Sequence, residues 1–329
     1  MLSKITFLLP IKDRPHVTLR LVQYLMKIDY KLNLIVADGS RIGQKNFFEL
    51  IKKKHNLIYL EFPHDKNIRF FTKKIFHSSK KIKTKYSCFI ESDELINFKS
   101  LITLIKFLDD NEEYIFVKAV IRNFNVTENN DIQILDRLSV KEEGHDFFLS
   151  KKLVKISGWE GIHRTNTFKK IFSLMEKNNI DNINIFADYL RLITQINGRI
   201  KFDSNILYSF RQANTHQFDL EKDISANRKI RIFHLSVLKD IYKILKLIKI
   251  ENNNNLDKIT IFKALIVYCF EFKVLRILKK SLNMFIKKFS IHKNDKQNIR
   301  NLNDDEKNFL QNNKSFLKFI KKEKIKIYA

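Results

Sequence analysis

Glu91-Ser92-Asp93-Glu94 places three carboxylates directly after the apolar run Tyr86–Ile90. Carboxylates two apart at a strand end can converge on one cation once the chain leaves extended geometry. Hard divalent cations such as Mg²⁺ take oxygen ligands and complete their shells with water or phosphate oxygens. A cation held there neutralises charge on an adjacent phosphate. The same four residues also suit an exposed acidic turn that opens the following helix, so the cluster alone does not decide between the two. Two further apolar runs end in polar groups. Ile5–Pro10 leads to Lys12-Asp13-Arg14, and Leu32–Ala37 leads to Asp38-Gly39-Ser40. Their shared placement says more than any one of them.

The elements that must position these groups alternate. Short continuous apolar runs, as buried parallel strands have, fall at Ile5–Pro10, Leu32–Ala37, Leu57–Phe62, Tyr86–Ile90 and Tyr114–Ile121. Helical periodicity separates them at Val17–Ile28, Phe47–Lys54, Arg69–Lys81 and Leu101–Leu108. Strands and helices in this order predict right-handed crossovers, a mostly parallel sheet and helices on both faces. Ligands of such sheets bind beyond the carboxyl ends of the strands. From Asn123 to Ile156 the pattern is mixed, with short strands and an Asn/Asp-rich insertion. Helices follow at Asn166–Lys177 and Ile185–Ile196, the second stopping at Asn197-Gly198, and Ile206–Phe210 reads as a last strand.

After about His216 the alternation ends. Ile230–Ile250, Ile259–Phe289 and Glu306–Lys324 read as Lys-rich amphipathic helices, with Asn252–Asn255 a loop between the first two. The chain therefore divides into residues 1–216 and a basic helical extension, 217–329. A net charge of +26 over 329 residues has two readings. One is an anionic partner: nucleic acid, a membrane surface or a phosphorylated substrate. The other is a Lys-, Ile- and Asn-rich proteome in which Lys is the common solubilising residue. Hydrophobic residues at 44% and 29 Phe exclude a disordered chain. Cys88 and Cys269 form neither a metal spacing nor a disulfide framework, as expected in a reducing compartment. The apolar N-terminal stretch is too short for a signal peptide, and no run reaches the length of a membrane span. The expected location is the cytoplasm, including the inner face of the membrane.

ITFLLPIKDRP, LIVADGS and YSCFIESDE, in this order, resemble the nucleotide-binding half of family-2 glycosyltransferases with the GT-A fold. The resemblance covers residues 1–216 and implies a GT-A-like sheet with the basic helical extension outside it. It implies a nucleotide-sugar site formed by Pro10, Lys12, Arg14, Asp38, Ser40, Lys73, Glu91, Ser92 and Arg211. Asp93, assisted by Glu91 and by His216, would hold a divalent metal, Mn or Mg, at the position of the family's Asp-x-Asp motif. Glu94 is left as a helix-start acid. Gly158-Trp159-Glu160-Gly161 and His163-Arg164 fall where relatives carry an acceptor-side loop, making Trp159, Glu160, His163 and Arg164 acceptor-side candidates. Asp188 falls at the position of the general base of inverting relatives. Arg211, in the segment Tyr208–His216, would hold phosphate.

The sequence departs from the family pattern in four places. Ala37 and Ala187 stand where relatives have acids, Glu91 replaces the first Asp of Asp-x-Asp, and no Gly-rich phosphate segment lies between Asn67 and Lys85, where Arg69, Lys73 and Lys74 would supply phosphate contacts instead.

The expected activity is transfer of a sugar from a nucleoside diphosphate to a saccharide or lipid-linked acceptor, metal-dependent and inverting, in cell-envelope polysaccharide synthesis. A sugar nucleotidyltransferase would show a Gly-rich basic loop after the first strand, which Lys12-Asp13-Arg14-Pro15 is not. A basic nucleic-acid- or membrane-binding protein with a degenerate catalytic domain is the non-enzyme alternative. The tail helices contain no nucleic-acid-binding module, so nucleic acid is not expected as a partner. They read first as packing elements and second as a peripheral membrane contact.

Overall fold

The computed structural model describes residues 1–62, 65–126, 132–135, 158–179, 197–212 and 304–313, together with Phe186, Leu190, Ile193 and Thr194. A 3₁₀ turn at Leu2–Lys4 leads into β1 (Ile5–Ile11), followed by α1 (Pro15–Lys27), β2 (Asn33–Asp38), α2 (Lys45–Glu49) and β3 (Asn56–Glu61). Then come α3 (Ile68–Ser79), β4 (Tyr86–Phe89), β5 (Glu94–Ile96), α4 (Phe98–Asp110), β6 (Tyr114–Val126) and β7 (Ile132–Leu135). The remaining described elements are β8 (Ile162–Arg164), α5 (Thr165–Lys177), β9 (Arg199–Gln212) and α6 (Asp304–Asn312).

The strands form one nine-stranded sheet in the order β3-β2-β1-β4-β8-β6-β9-β5, with β7 paired to β6. The first four run parallel, with Leu8 opposite both Ile35 and Phe89. β6 and β9 are parallel too. β8, β5 and β7 insert as short antiparallel strands. The expected mostly parallel α/β sheet is what forms.

Side-chain alternation along β1 assigns the two helical layers. Phe7, Leu9 and Ile11 join the core built with α1 and α4, through Leu21, Leu25, Leu101, Leu104 and Leu108. Leu8 faces the other way, into the core built with α3 and α5, through Ile75, Phe168, Ile171 and Phe172. A continuously apolar strand is needed because both faces are covered.

Three local expectations are corrected. The helix expected at Phe47–Lys54 is only Lys45–Glu49, and its continuation closes through three-residue-spaced bonds such as Ile51 N to Phe48 O and Lys54 N to Ile51 O. The buried His55 ring sets that exit, bonded to the Leu25 carbonyl and accepting from the Leu32 amide. Glu94 does not start a helix. It opens β5, and α4 begins at Phe98 with Asn97 as its cap, accepting from Ser100 N. The motif Ile162-His163-Arg164 is a strand, inserted between β4 and β6.

Gly161 makes that insertion possible. Its φ is +153, and a Cβ there would lie 2.5 Å from the Phe116 ring and 2.6 Å from the Val117 carbonyl oxygen. Gly161→Ala is expected to destabilise the protein by about 1–3 kcal/mol, seen as a lower urea midpoint at unchanged m value.

Candidate active site

The parallel run β2, β1, β4 brings its carboxyl ends to one rim. The turn after β1 depends on Asp13, whose φ of 45 lies in the left-handed region that Asp tolerates better than most residues. Its amide donates to Ser40 Oγ at 2.9 Å, and its carboxylate accepts from Arg41 N at 2.8 Å. The β1 and β2 ends are thereby tied together, as they also are by Gly39 N donating to Ile11 O at 3.0 Å. The turn aims Arg14 across the rim, where it donates to Asp93 Oδ2 at 3.0 Å.

Asp38 ends β2 and is buried. One carboxylate oxygen accepts from Ser40 N, and the other accepts from Gln44 N and the Tyr59 hydroxyl. The Tyr59 phenol is pushed well up, by burial first and then by this carboxylate. Beside it lies a second buried group. Lys74, 1% exposed, pairs with Asp65 and donates to the Ile11 carbonyl. Burial lowers the Lys74 ammonium and raises the Asp65 carboxyl against their mutual attraction. Gly39 lets this pair approach the backbone: a Cβ there would displace the Asp65 carboxylate and the Lys74 ammonium. Lys12 donates to the Asp65 carbonyl. The exposed cations Lys73 and Arg69 lie on the same helix, but Lys74 is the one turned inward, a choice that helical spacing alone did not make.

The acidic cluster meets β9 through β5. Antiparallel pairing sets Glu94 opposite Arg211. The Arg211 Nε donates to Glu94 at 3.1 Å and Nη2 to the same oxygen, while Nη1 donates to Glu160 at 2.9 Å. Glu91 lies 3.7 Å from the guanidinium and accepts from the Trp159 indole nitrogen. Lys118 completes the lattice, donating to Glu160 at 2.7 Å. Gln212 N donates to Asp93 O at 3.0 Å, and Gln212 accepts from the buried Arg20. Burial lowers the Arg20 guanidinium to about 10, opposed by Asp93.

Competing forces set the protonation here. Burial raises Asp93, but Arg14, Arg211 and Arg20 overcome it and hold the carboxyl below its ordinary value. Burial likewise works against Glu160, and Lys118 and Arg211 hold it low. Glu91 is raised by burial. Glu94 is pushed up to about 7, by burial and then by Glu91, Glu160 and Asp93, against the pull of Arg211.

Several expected site residues have other surroundings. His163 is wholly buried in β8, bonded to the Gly158 carbonyl and set against Phe116, and burial lowers its ring to about 4. Arg164 donates to the carbonyls of Leu108, Asn111 and Tyr114, closing the end of α4. Trp159 stacks on Phe89 at 3.8 Å and 11°. Ser92 is buried at the rim beside Asp93, and Pro10 lies in β1. Asp188 and His216 lie outside the described residues. Lys118 and Arg20 join the site without having been singled out for it; each is a charge set in an otherwise apolar segment, the signal that could have marked it.

No protein-family model matches the chain, and no curated protein does. Solved structures do. Residues 1–349 of S. aureus TarS, a glycosyltransferase, superpose with a TM-score of 0.55 at 17% identity, covering 82% of this chain and 72% of that one. The same protein in complex with UDP-GlcNAc gives 0.53 at 16% identity, covering 82% and 76%. Its complex with UDP also gives 0.53. Against the longer TarS chain the coverage falls to 46%. At these identities the likeness is one of fold.

Glu94 yields a signed pH dependence. Its folded value, about 7, stands above the ordinary 4.5, so its contribution to stability is full below 4.5 and is lost as pH rises through 7. Glu94→Gln is expected to flatten the decline of Tm between pH 5 and 7 relative to the wild type.

Proposed function

We propose that this chain is a glycosyltransferase that takes its sugar from a nucleoside diphosphate. The observation that carries the reading is the convergence of Arg14, Asp38, Asp93 and Arg211 on one sheet rim. The sheet has the fold of proteins solved with UDP and UDP-GlcNAc. Asp38 and Ser40 would bound the nucleoside side, with Lys12 and Lys74 behind them. Arg14 and Arg211 are the cations nearest the diphosphate, Arg211 by virtue of a planar donor fork. Arg14 already shields Asp93 and can exchange that carboxylate for phosphate when donor enters.

The fit to a divalent metal follows from the donor set. Among the described residues no group of three His, Cys, Asp or Glu converges closely enough to hold an ion. Asp93 and Glu91 supply two carboxylates, each already engaged, by Arg14 and by the Trp159 indole. Two oxygen donors fit a cation delivered with the diphosphate, whose remaining ligands are phosphate and water, better than a resident one. Such a cation would stabilise charge on the leaving diphosphate.

Asp188 is the proposed base. It would take the proton of an acceptor hydroxyl as that oxygen bonds to the anomeric carbon, while the nucleoside diphosphate leaves with the electrons of the broken bond, inverting the centre. A saccharide or lipid-linked acceptor of the cell envelope would approach past Glu160 and Trp159. The basic tail suits a site at the inner face of a membrane.

Calorimetry with UDP and UDP-GlcNAc, with and without Mn²⁺, tests the reading. Asp93→Asn is expected to weaken UDP by about tenfold, roughly 1.4 kcal/mol. Asp188→Asn is expected to lower transfer about 10²–10⁴-fold while leaving UDP affinity intact. Binding of neither nucleotide under any condition, alongside salt-sensitive binding to nucleic acid or anionic vesicles, would defeat the proposal in favour of a basic binding protein.

A further inference from the structure

The tail of the chain returns to the sheet. α6 opens with Asp304, Asp305 and Glu306, acids suited to the positive end of a helix. The first two are exposed, whereas Glu306 is 2% exposed and accepts from Arg122 Nε at 2.7 Å. A buried charge persists only while its partner stays. One turn on, Phe309 stacks on Phe210, with centroids 5.6 Å apart and planes at 10°, and Leu310 packs against the same core. Arg122 and Phe210 are register partners on β6 and β9. α6 therefore grips two adjacent strands at one level.

The residue after Phe210 is Arg211. Neighbours in a strand point to opposite faces, so the face of β9 that α6 covers is the reverse of the one carrying the guanidinium. The regular pairing of β9 at this level is short. On one side it pairs with β5, a strand of three residues. On the other its register with β6 slips at Ala119/Val120 and again at Val120/Ile121, before Ile121–Phe124 settle opposite Ser209–Gln212 in regular pairing. A slide of one residue over that short regular stretch would turn Arg211 away from its carboxylates.

We infer that α6 is the positioning element of Arg211: Glu306 and Phe309, acting through Arg122 and Phe210, keep the guanidinium among Glu91, Glu94 and Glu160. The consequence for donor binding rests on the proposed function; the placement of Arg211 does not. The helix belongs to the basic extension, beyond the residues that carry the family resemblance, yet it completes the site.

Trp159 is the chain's single tryptophan, and its indole donates to Glu91 beside Arg211, so its fluorescence reports the lattice without any donor. In the full chain, Phe309→Ala and Glu306→Gln are expected to raise acrylamide quenching of Trp159 and to weaken UDP binding about fivefold. Phe309→Tyr should restore both. In an Arg211→Lys background the Phe309→Ala effect on UDP should vanish. Variants that lower Tm but leave Trp159 quenching at the wild-type value overturn the inference, as does an undiminished effect on UDP in the Arg211→Lys background. Should Phe309→Ala fail to fold, Glu306→Gln carries the same comparison. Absence of UDP binding in the wild type defeats the transferase reading alone, and Trp159 quenching still decides the role of α6.

Discussion

The attraction between Arg211 and the carboxylates of Glu94 and Glu160, with Glu91 close by, organises the rim on which everything else depends. Three acids held this near one another, Glu94 buried and the other two half-buried, repel and resist ionisation. One guanidinium presents five donors fixed in a plane and reaches Glu94 and Glu160 from different nitrogens, a span that the compact ammonium of a lysine lacks. Lys118 takes a share of Glu160, and Arg14 takes Asp93. Arg14 thereby holds the acid that the proposed chemistry needs near a diphosphate. Breaking one pair leaves a buried charge exposed to its like neighbours, so the lattice resists piecemeal change.

The lattice exists only because of the sheet. Parallel pairing of β1, β2 and β4 carries three polar turns to the same edge, and β9 then brings Arg211 from far along the chain to face Glu94. Between these halves β8 pairs with both β4 and β6, and Gly161 lets the chain enter that slot against Phe116. The halves are joined by backbone hydrogen bonds as well as by side-chain packing. The apolar layers on either face leave the rim as the place where charges meet.

Much of the fold was legible in the residues. β1, β2 and β4 are short apolar runs covered on both faces, β3 is an apolar run at the sheet edge that stays partly exposed, and α1, α3, α4 and α5 carry apolar residues at helical spacing. Such signals are local, so a window of a few residues contains them. The elements that escaped detection are those without a local signal. Glu94–Ile96 and Ile162–Arg164 are three residues each and are strands only because partners align with them. Lys74 and Lys73 are adjacent in one helix, and no pattern states which turns toward Asp65.

The sequence by itself determined the alternation of strands and helices, and that the polar groups Asp13, Asp38 and Asp93 would gather at strand ends. That follows because side-chain burial and backbone periodicity act over neighbouring residues. Only the tertiary structure decided what those groups touch. It set Arg211 against Glu94, turned His163 inward and Arg164 onto α4 carbonyls, and brought Glu306 back to Arg122. Such pairings join residues tens to nearly two hundred positions apart. The attraction between charges depends on distance in space, which the order of residues does not contain.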